Sequence, residues 1–102
     1  MNRLLLSARL KERGATRYTP AGLPALDLVL EHRSEVQQAG HRRQVSLEMK
    51  ALAVGEITVA LAGLTLGSEA RFAGFVAGAR NGRGCLFHVT EFEAEQAAPV
   101  TV

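Results

Sequence analysis

From Arg3 to Lys11 the chain alternates. Leu4, Leu6, Ala8 and Leu10 fall on one side, and Arg3, Leu5, Ser7, Arg9 and Lys11 on the other. A period of two is that of a strand with one face on a core, and the other face here is basic. Gly14 breaks or bulges the strand. Residues 17–24 hold Pro20, Gly22 and Pro24, which oppose regular pairing, so this segment is predicted as a turn. Leu26, Leu28 and Leu30 then face inward, with Asp27, Glu31 and Arg33 toward water. Val45, Leu47, Met49 and Ala51 form the inner face of a returning strand, and Gln44, Ser46, Glu48 and Lys50 its outer face. Between the two, residues 35–41 are polar and are expected to form a long loop, a finger ending in the basic tip Gly40-His41-Arg42-Arg43.

The stretch from Ala53 to Leu66 is apolar and broken by Gly55 and Gly63, which predicts a short helix or turn and then an irregular connection. Residues 70–77 predict another strand, with Phe72 and Val76 on one face and Phe75 on the other. Asn81-Gly82 marks a hairpin tip within residues 78–84. Residues 85–92 form the last strand, with Cys85, Phe87 and Val89 opposite Leu86, His88 and Thr90. Phe72, Phe87 and Phe92 are expected in the core. About five strands with long loops after the second and fourth predict an all-β fold. The best match is a five-stranded oligonucleotide/oligosaccharide-binding (OB) barrel, with at most a short helix or turn between strands 3 and 4; closure removes exposed sheet edges. A β-sandwich needs more strands.

The 102 residues suffice for one domain, placed at 1–93, with a flexible tail at 94–102. A domain of this size buries a modest share of its surface, so dimerisation would help it. Net charge is only +2, but its distribution is uneven. Residues 1–24 carry five Arg/Lys against Glu12, while residues 51–102 carry three Arg against five acids. That asymmetry points to an anionic partner on one surface. A single cysteine, Cys85, fits a reducing compartment. With no secretory leader and no apolar stretch long enough to span a bilayer, the chain is expected to be cytoplasmic, without a membrane partner.

The residues offer little catalytic chemistry. No Cys-x-x-Cys or His-x-x-x-His spacing suggests a metal. Gly82-Arg83-Gly84 lacks the lysine and hydroxyl of a P-loop, and the serines lie in no nucleophile elbow. No enzyme activity and no cofactor are expected. The candidate binding residues are basic or planar. Arg42 and Arg43 sit at the finger tip with His41, Arg33 on the strand entering the finger, and Lys50 on the strand leaving it. Arg17 beside Tyr18 joins a cation to a ring, and Arg80 and Arg83 flank the hairpin tip. Single-strand binders combine such groups, with cations on phosphates and rings on bases. Each residue also has a plain structural reading: Arg33 as a salt bridge to Glu31 or Glu35, and Tyr18 as a cover for the barrel end. Tyr18 and His41 are the only stacking groups expected, so affinity should rest on phosphate contacts and weaken with salt.

Several strings together are more specific: Asn2-Arg3-Leu4, Thr19-Pro20-Ala21-Gly22-Leu23-Pro24, Leu30-Glu31-His32-Arg33-Ser34 followed by Gln38-Ala39-Gly40, Gly67-Ser68, Gly74-Phe75, Asn81-Gly82 and His88. Over about residues 2–93 the chain resembles the bacterial primosomal replication protein N (PriB) family. The resemblance implies a homodimeric OB-fold protein without enzymatic activity that binds single-stranded DNA. In replication restart it would contact the primosomal helicase and hand on to a downstream loader protein. By position, the DNA contacts it implies are Arg17, Arg33, His41, Arg42 and Arg80. His41 and Ser46 stand where well-known members carry aromatic rings, and the final hairpin is shorter and less basic. The alternative reading is therefore a protein-interaction adaptor with an OB fold and weak nucleic-acid binding.

Overall fold

Strand β1 (Leu4–Arg13) is shared between two neighbours in a computed structural model that describes residues 1–95. The other elements are β2 (Arg17–Tyr18), β3 (Pro24–Gln38), β4 (His41–Val54), α1 (Ile57–Ala62), β5 (Glu69–Gly78) and β6 (Cys85–Ala94). The first part of β1 pairs antiparallel with β5, from Leu4 opposite Gly74 to Arg9 opposite Glu69. Its second part pairs with β3, from Arg9 opposite Glu31 to Arg13 opposite Leu28, with a bulge between Leu10 and Glu12. The bulge bends the strand, so β1 leaves one neighbour for the other. With β3 paired to β4, β4 to β6 and β6 to β5, the five long strands close into an OB barrel.

The alternation seen along the chain is the inside and outside of this barrel. Leu10, Leu26, Leu30, Phe72 and Phe87 are inaccessible, with Leu28 and Val89 nearly so. Ala8, Ala51, Ala53 and Ala70 share that interior, where small side chains leave room for the two rings. Phe92 is partly buried and stacks on Phe72 at 6.3 Å. The helix α1 supplies buried Leu61 and partly buried Ile57 to the core. Two carbonyls near its C-terminal end, of Leu61 and Leu64, accept hydrogen bonds from the Arg13 guanidinium. Arg13 thereby ties β1 to the helix end, where the Leu61 carbonyl also accepts from Leu64 N–H at 3.2 Å.

Two of the expectations need correction. The segment predicted as a turn over residues 17–24 begins as strand β2, because Arg17 and Tyr18 pair with Ala25 and Pro24. Only residues 19–23 turn, closed by Thr19 N–H to the Leu23 carbonyl at 2.8 Å. The finger is not a loop. The β3–β4 ladder continues without interruption to Gln38 opposite His41, and only Ala39 and Gly40 turn, with φ of 52° and 79°. Positive φ at both positions is what the type I′ two-residue hairpin turn requires. Polar residues on both sides hid the strand, because backbone pairing alone carries it beyond the core. The short helix falls where it was expected. Strand β6 runs to Ala94, slightly into the segment assigned to the tail; Glu95 follows it, and residues 96–102 of that tail lie outside the described residues.

On β6 the register shifts opposite Ala73 and Gly74, leaving Thr90 as an extra residue. The two backbones come so close there that a Cβ on Gly74 would lie 1.8 Å from the His88 carbonyl oxygen. Backbone cannot yield as a flexible side chain can, so only glycine fits. Gly74→Ala should cost about 1–3 kcal/mol as overpacking. Each kcal/mol should lower Tm by roughly 4–8 °C in a domain of this size, read by thermal unfolding monitored by circular dichroism.

Candidate nucleic-acid interface

Strand β6 runs parallel to β4, with Ala51 opposite Phe87 and Leu52 opposite His88. Following that register backward brings Leu86 beside Lys50. The β5–β6 hairpin tip (residues 79–84) therefore lies on the side of the barrel toward which the β3–β4 finger extends. Two arms thus flank one sheet face. The hairpin arm carries Arg80 and Arg83, both exposed, and its tip is fixed by Asn81 Oδ1 accepting from Arg83 N–H at 2.9 Å. The finger arm carries His41, Arg42 and Arg43, all exposed.

Antiparallel register sorts the finger residues by face, because directly opposite residues share a side. The outer face holds Arg33 opposite Ser46, Glu35 opposite Gln44 and Gln37 opposite Arg42. The underside holds Val36 opposite Arg43, Ser34 opposite Val45 and His32 opposite Leu47. Arg42 and Arg43 therefore point to opposite sides. Arg42 shares a face with Arg33 and Lys50, whereas Arg43 donates to Gln38 Oε1 at 2.8 Å.

Lys50 borders a groove of about 560 Å³ floored by Leu28, Val29, Ala51 and Leu86 and rimmed by Glu12 and Asp27. Arg17 and Tyr18 sit at the other end of β3, where Arg17 pairs with Ala25. At ~3.3 Å per residue, some 40 Å of ribbon separates them from the finger tip. The predicted residues other than Arg43 thus form a track, not a single pocket. Tyr18 is 70% exposed and does not cover the barrel end.

Most of the cations on this face already have carboxylate partners. Arg33 pairs with Glu31 at 3.6 Å, Glu31 also with Arg9 at 2.6 Å, and Arg42 with Glu35 at 3.3 Å. Arg17 grips Asp27 with two bonds, Nε to Oδ2 at 2.9 Å and Nη2 to Oδ1 at 3.1 Å. Lys11 pairs with Glu48, whose hydrogen bond and charge raise its pKa above the ordinary lysine value. Lys50, Arg80 and Arg83 join no ion pair among the described residues. A phosphate reaching Arg17, Arg33 or Arg42 must compete with an acid already in place.

One planar pair escaped the sequence reading. Phe75 and His88 stack on the outer face with ring centroids 4.7 Å apart and planes within 8°. Phe75 facing away from Phe72 was the available signal. Its pairing with His88 depends on the bulge at Thr90, which no periodicity shows.

Residues 2–91 match the family described as "another single-strand binding protein family". Replication restart protein PriB of Bordetella pertussis is 55% identical over 80 residues, covering 78% of this chain and 75% of that protein. PriB of Photorhabdus laumondii is 36% identical over 96 residues, covering 90% and 91%. The chain belongs to the PriB family. A solved PriB structure from Ralstonia solanacearum superposes with a TM-score of 0.86 at 33% identity, over 94% of this chain and 99% of that one. The single-stranded DNA-binding protein of Thermus aquaticus shares the fold, with a TM-score of 0.74 at 21% identity, covering 94% of this chain and 50% of its own. The OB barrel expected from strand count is therefore a PriB-type barrel.

The Arg17 guanidinium holds the Asp27 carboxyl below its ordinary value of 3.8, chiefly by hydrogen bonding and against a smaller opposing effect of burial. A depressed carboxyl stabilises the fold above its unfolded pKa, and that contribution is lost as pH falls through the depressed value. Arg17→Ala should raise the Asp27 midpoint toward the ordinary range in a carboxyl-carbon NMR titration.

Proposed function

We propose that this chain binds single-stranded DNA in replication restart, holding the phosphate backbone along the outer β3–β4 face between the two arms. The observation that carries the proposal is the parallel β4–β6 register, which sets Arg80 and Arg83 beside the face bearing Lys50, Arg33 and Arg42. The β2–β3 face of OB barrels and the loops beside it, equivalent to β3–β4 here, are where oligonucleotides bind. The relatives named as replication restart proteins support the biological setting. By the same resemblance the partners are the primosomal helicase and a downstream loader.

Binding should fall with salt. At about 0.7 counterions per phosphate on single strands, contacts from Lys50, Arg80 and Arg83 give a log–log slope of roughly −2. The ion-paired cations add little, because each releases a carboxylate that recruits its own counterion. Fluorescence anisotropy of a labelled oligo-dT at several salt concentrations measures this. Reversing Lys50, Arg80 and Arg83 to Glu should abolish binding without changing the melting temperature. Glu35→Gln, which frees Arg42, should tighten it. The intramolecular pairing of Arg17, Arg33 and Arg42 favours a second reading, a protein adaptor with weak DNA binding. An unaltered chain that ignores oligo-dT at low salt would establish that reading instead.

The proposal extends to a homodimer. Among the described residues, β1 pairs with β5 from Leu4 onward but with β3 only from Arg9, so Leu4–Ser7 present a free edge. His32 Nδ1 meets the Ser7 carbonyl on that side at 2.6 Å. The N–H groups of Ser7 and Leu5 therefore point the same way, available to a strand from a second copy. The half-buried Val45 and Leu47 continue the core face under the finger next to this edge. Leu5→Pro removes an N–H that β5 does not use, so it should leave the fold intact and shift the mass from dimer to monomer in size exclusion with light scattering.

A further inference from the structure

We propose that Phe75, stacked on His88 and flanked by Arg3, forms a nucleobase subsite on the outer face of β5 and β6; this rests on the single-stranded DNA reading above. The interior is filled by Phe72, Phe87 and Phe92 without Phe75, which stays 39% exposed. Its ring is parallel to the imidazole at 4.7 Å, and the two residues are directly opposite across the β5–β6 ladder. The bulge and the bare Gly74 set this geometry by drawing the two backbones together beside the ring pair. Bulges are common where a binding side chain must be aimed.

The surroundings suit a base and not a buried contact. On one side Leu52 lies beside His88, and Lys50 shares its outer face. Toward the hairpin tip the next outward pair is Ala77 with Leu86, and beyond it lie Arg80 and Arg83. On the other side Leu4 pairs with Gly74, so the next register step sets Arg3 opposite Phe75. Asn2 fixes that step: its Nδ2 donates to the Val76 carbonyl at 2.6 Å and its Oδ1 accepts from Val76 N–H at 3.0 Å. Arg3 is exposed and joins no ion pair among the described residues. A ring with a cation one register step away on the next strand, in line with two basic arms, matches how single-strand binders hold a base and its phosphate together. It also provides planar groups on a surface where the finger offers only His41.

The test compares labelled oligo-dT with an abasic strand of equal length, by anisotropy, on the intact chain. The unaltered protein should prefer the strand with bases. Phe75→Leu keeps an apolar side chain but loses the ring. It should weaken oligo-dT binding roughly ten-fold, within the range for one stacked base. Affinity for the abasic strand and the salt slope should be unchanged. A Phe75→Leu protein with the original preference for bases overturns the subsite while leaving DNA binding standing. An unaltered chain that binds neither strand overturns both. If Phe75→Leu does not fold, Arg3→Gln, outside the ladder, carries the test. Unchanged oligo-dT affinity in that variant overturns the subsite as well.

Discussion

Everything in this barrel depends on one strand having two partners. Because β1 leaves β5 for β3 at the Leu10–Glu12 bulge, the sheet closes and its inner residues meet around a common interior. The same switch releases the far half of β3. Past Glu31, among the described residues, β3 pairs only with β4, so the two leave together as a ribbon and become the finger. The free edge at Leu4–Ser7 arises from the same switch. Closure, the projecting ribbon and the unpaired edge of β1 are thus three results of one change of partner.

The electrostatics of the outer face follow from β-sheet register. Side chains on one face of paired strands lie within a few ångströms of each other, so an acid diagonal to a cation, or two residues along the same strand from it, captures it. Glu31, Glu35 and Asp27 do this for Arg33, Arg42 and Arg17. Such exposed pairs contribute little to stability. Their effect on binding is larger, because an anionic ligand must displace a carboxylate already seated. The hairpin arm, with no acids in its tip, is the least screened positive surface on that side.

The planar groups show a different division. Tyr18 sits on a two-residue strand at the end of the track, and His41 at the tip of a ribbon that is solvated on both faces. Phe75 and His88 are held by a ladder and a bulge, so their mutual orientation costs no further ordering when a ligand arrives. Preorganisation of this kind conserves affinity that a mobile ring would lose to entropy.

The sequence alone determined which residues face inward. A period of two leaves only one way to bury Leu26, Leu28 and Leu30 or Val45, Leu47 and Met49, and hydrophobic burial enforces it. Asn81-Gly82 determined the last hairpin, since few residues accept that turn. The string from Leu30 to Ser34, with the others beside it, carried the resemblance to the family. The tertiary structure alone decided what depends on partners distant in the chain. The finger reads as a loop because its strands have no core beneath them, and alternation is visible only where one face is buried. Which cations are already paired, that Arg42 and Arg43 face apart, and that Phe75 meets His88 all depend on register between strands. Register is set by bulges and backbone bonds that leave little trace in local composition.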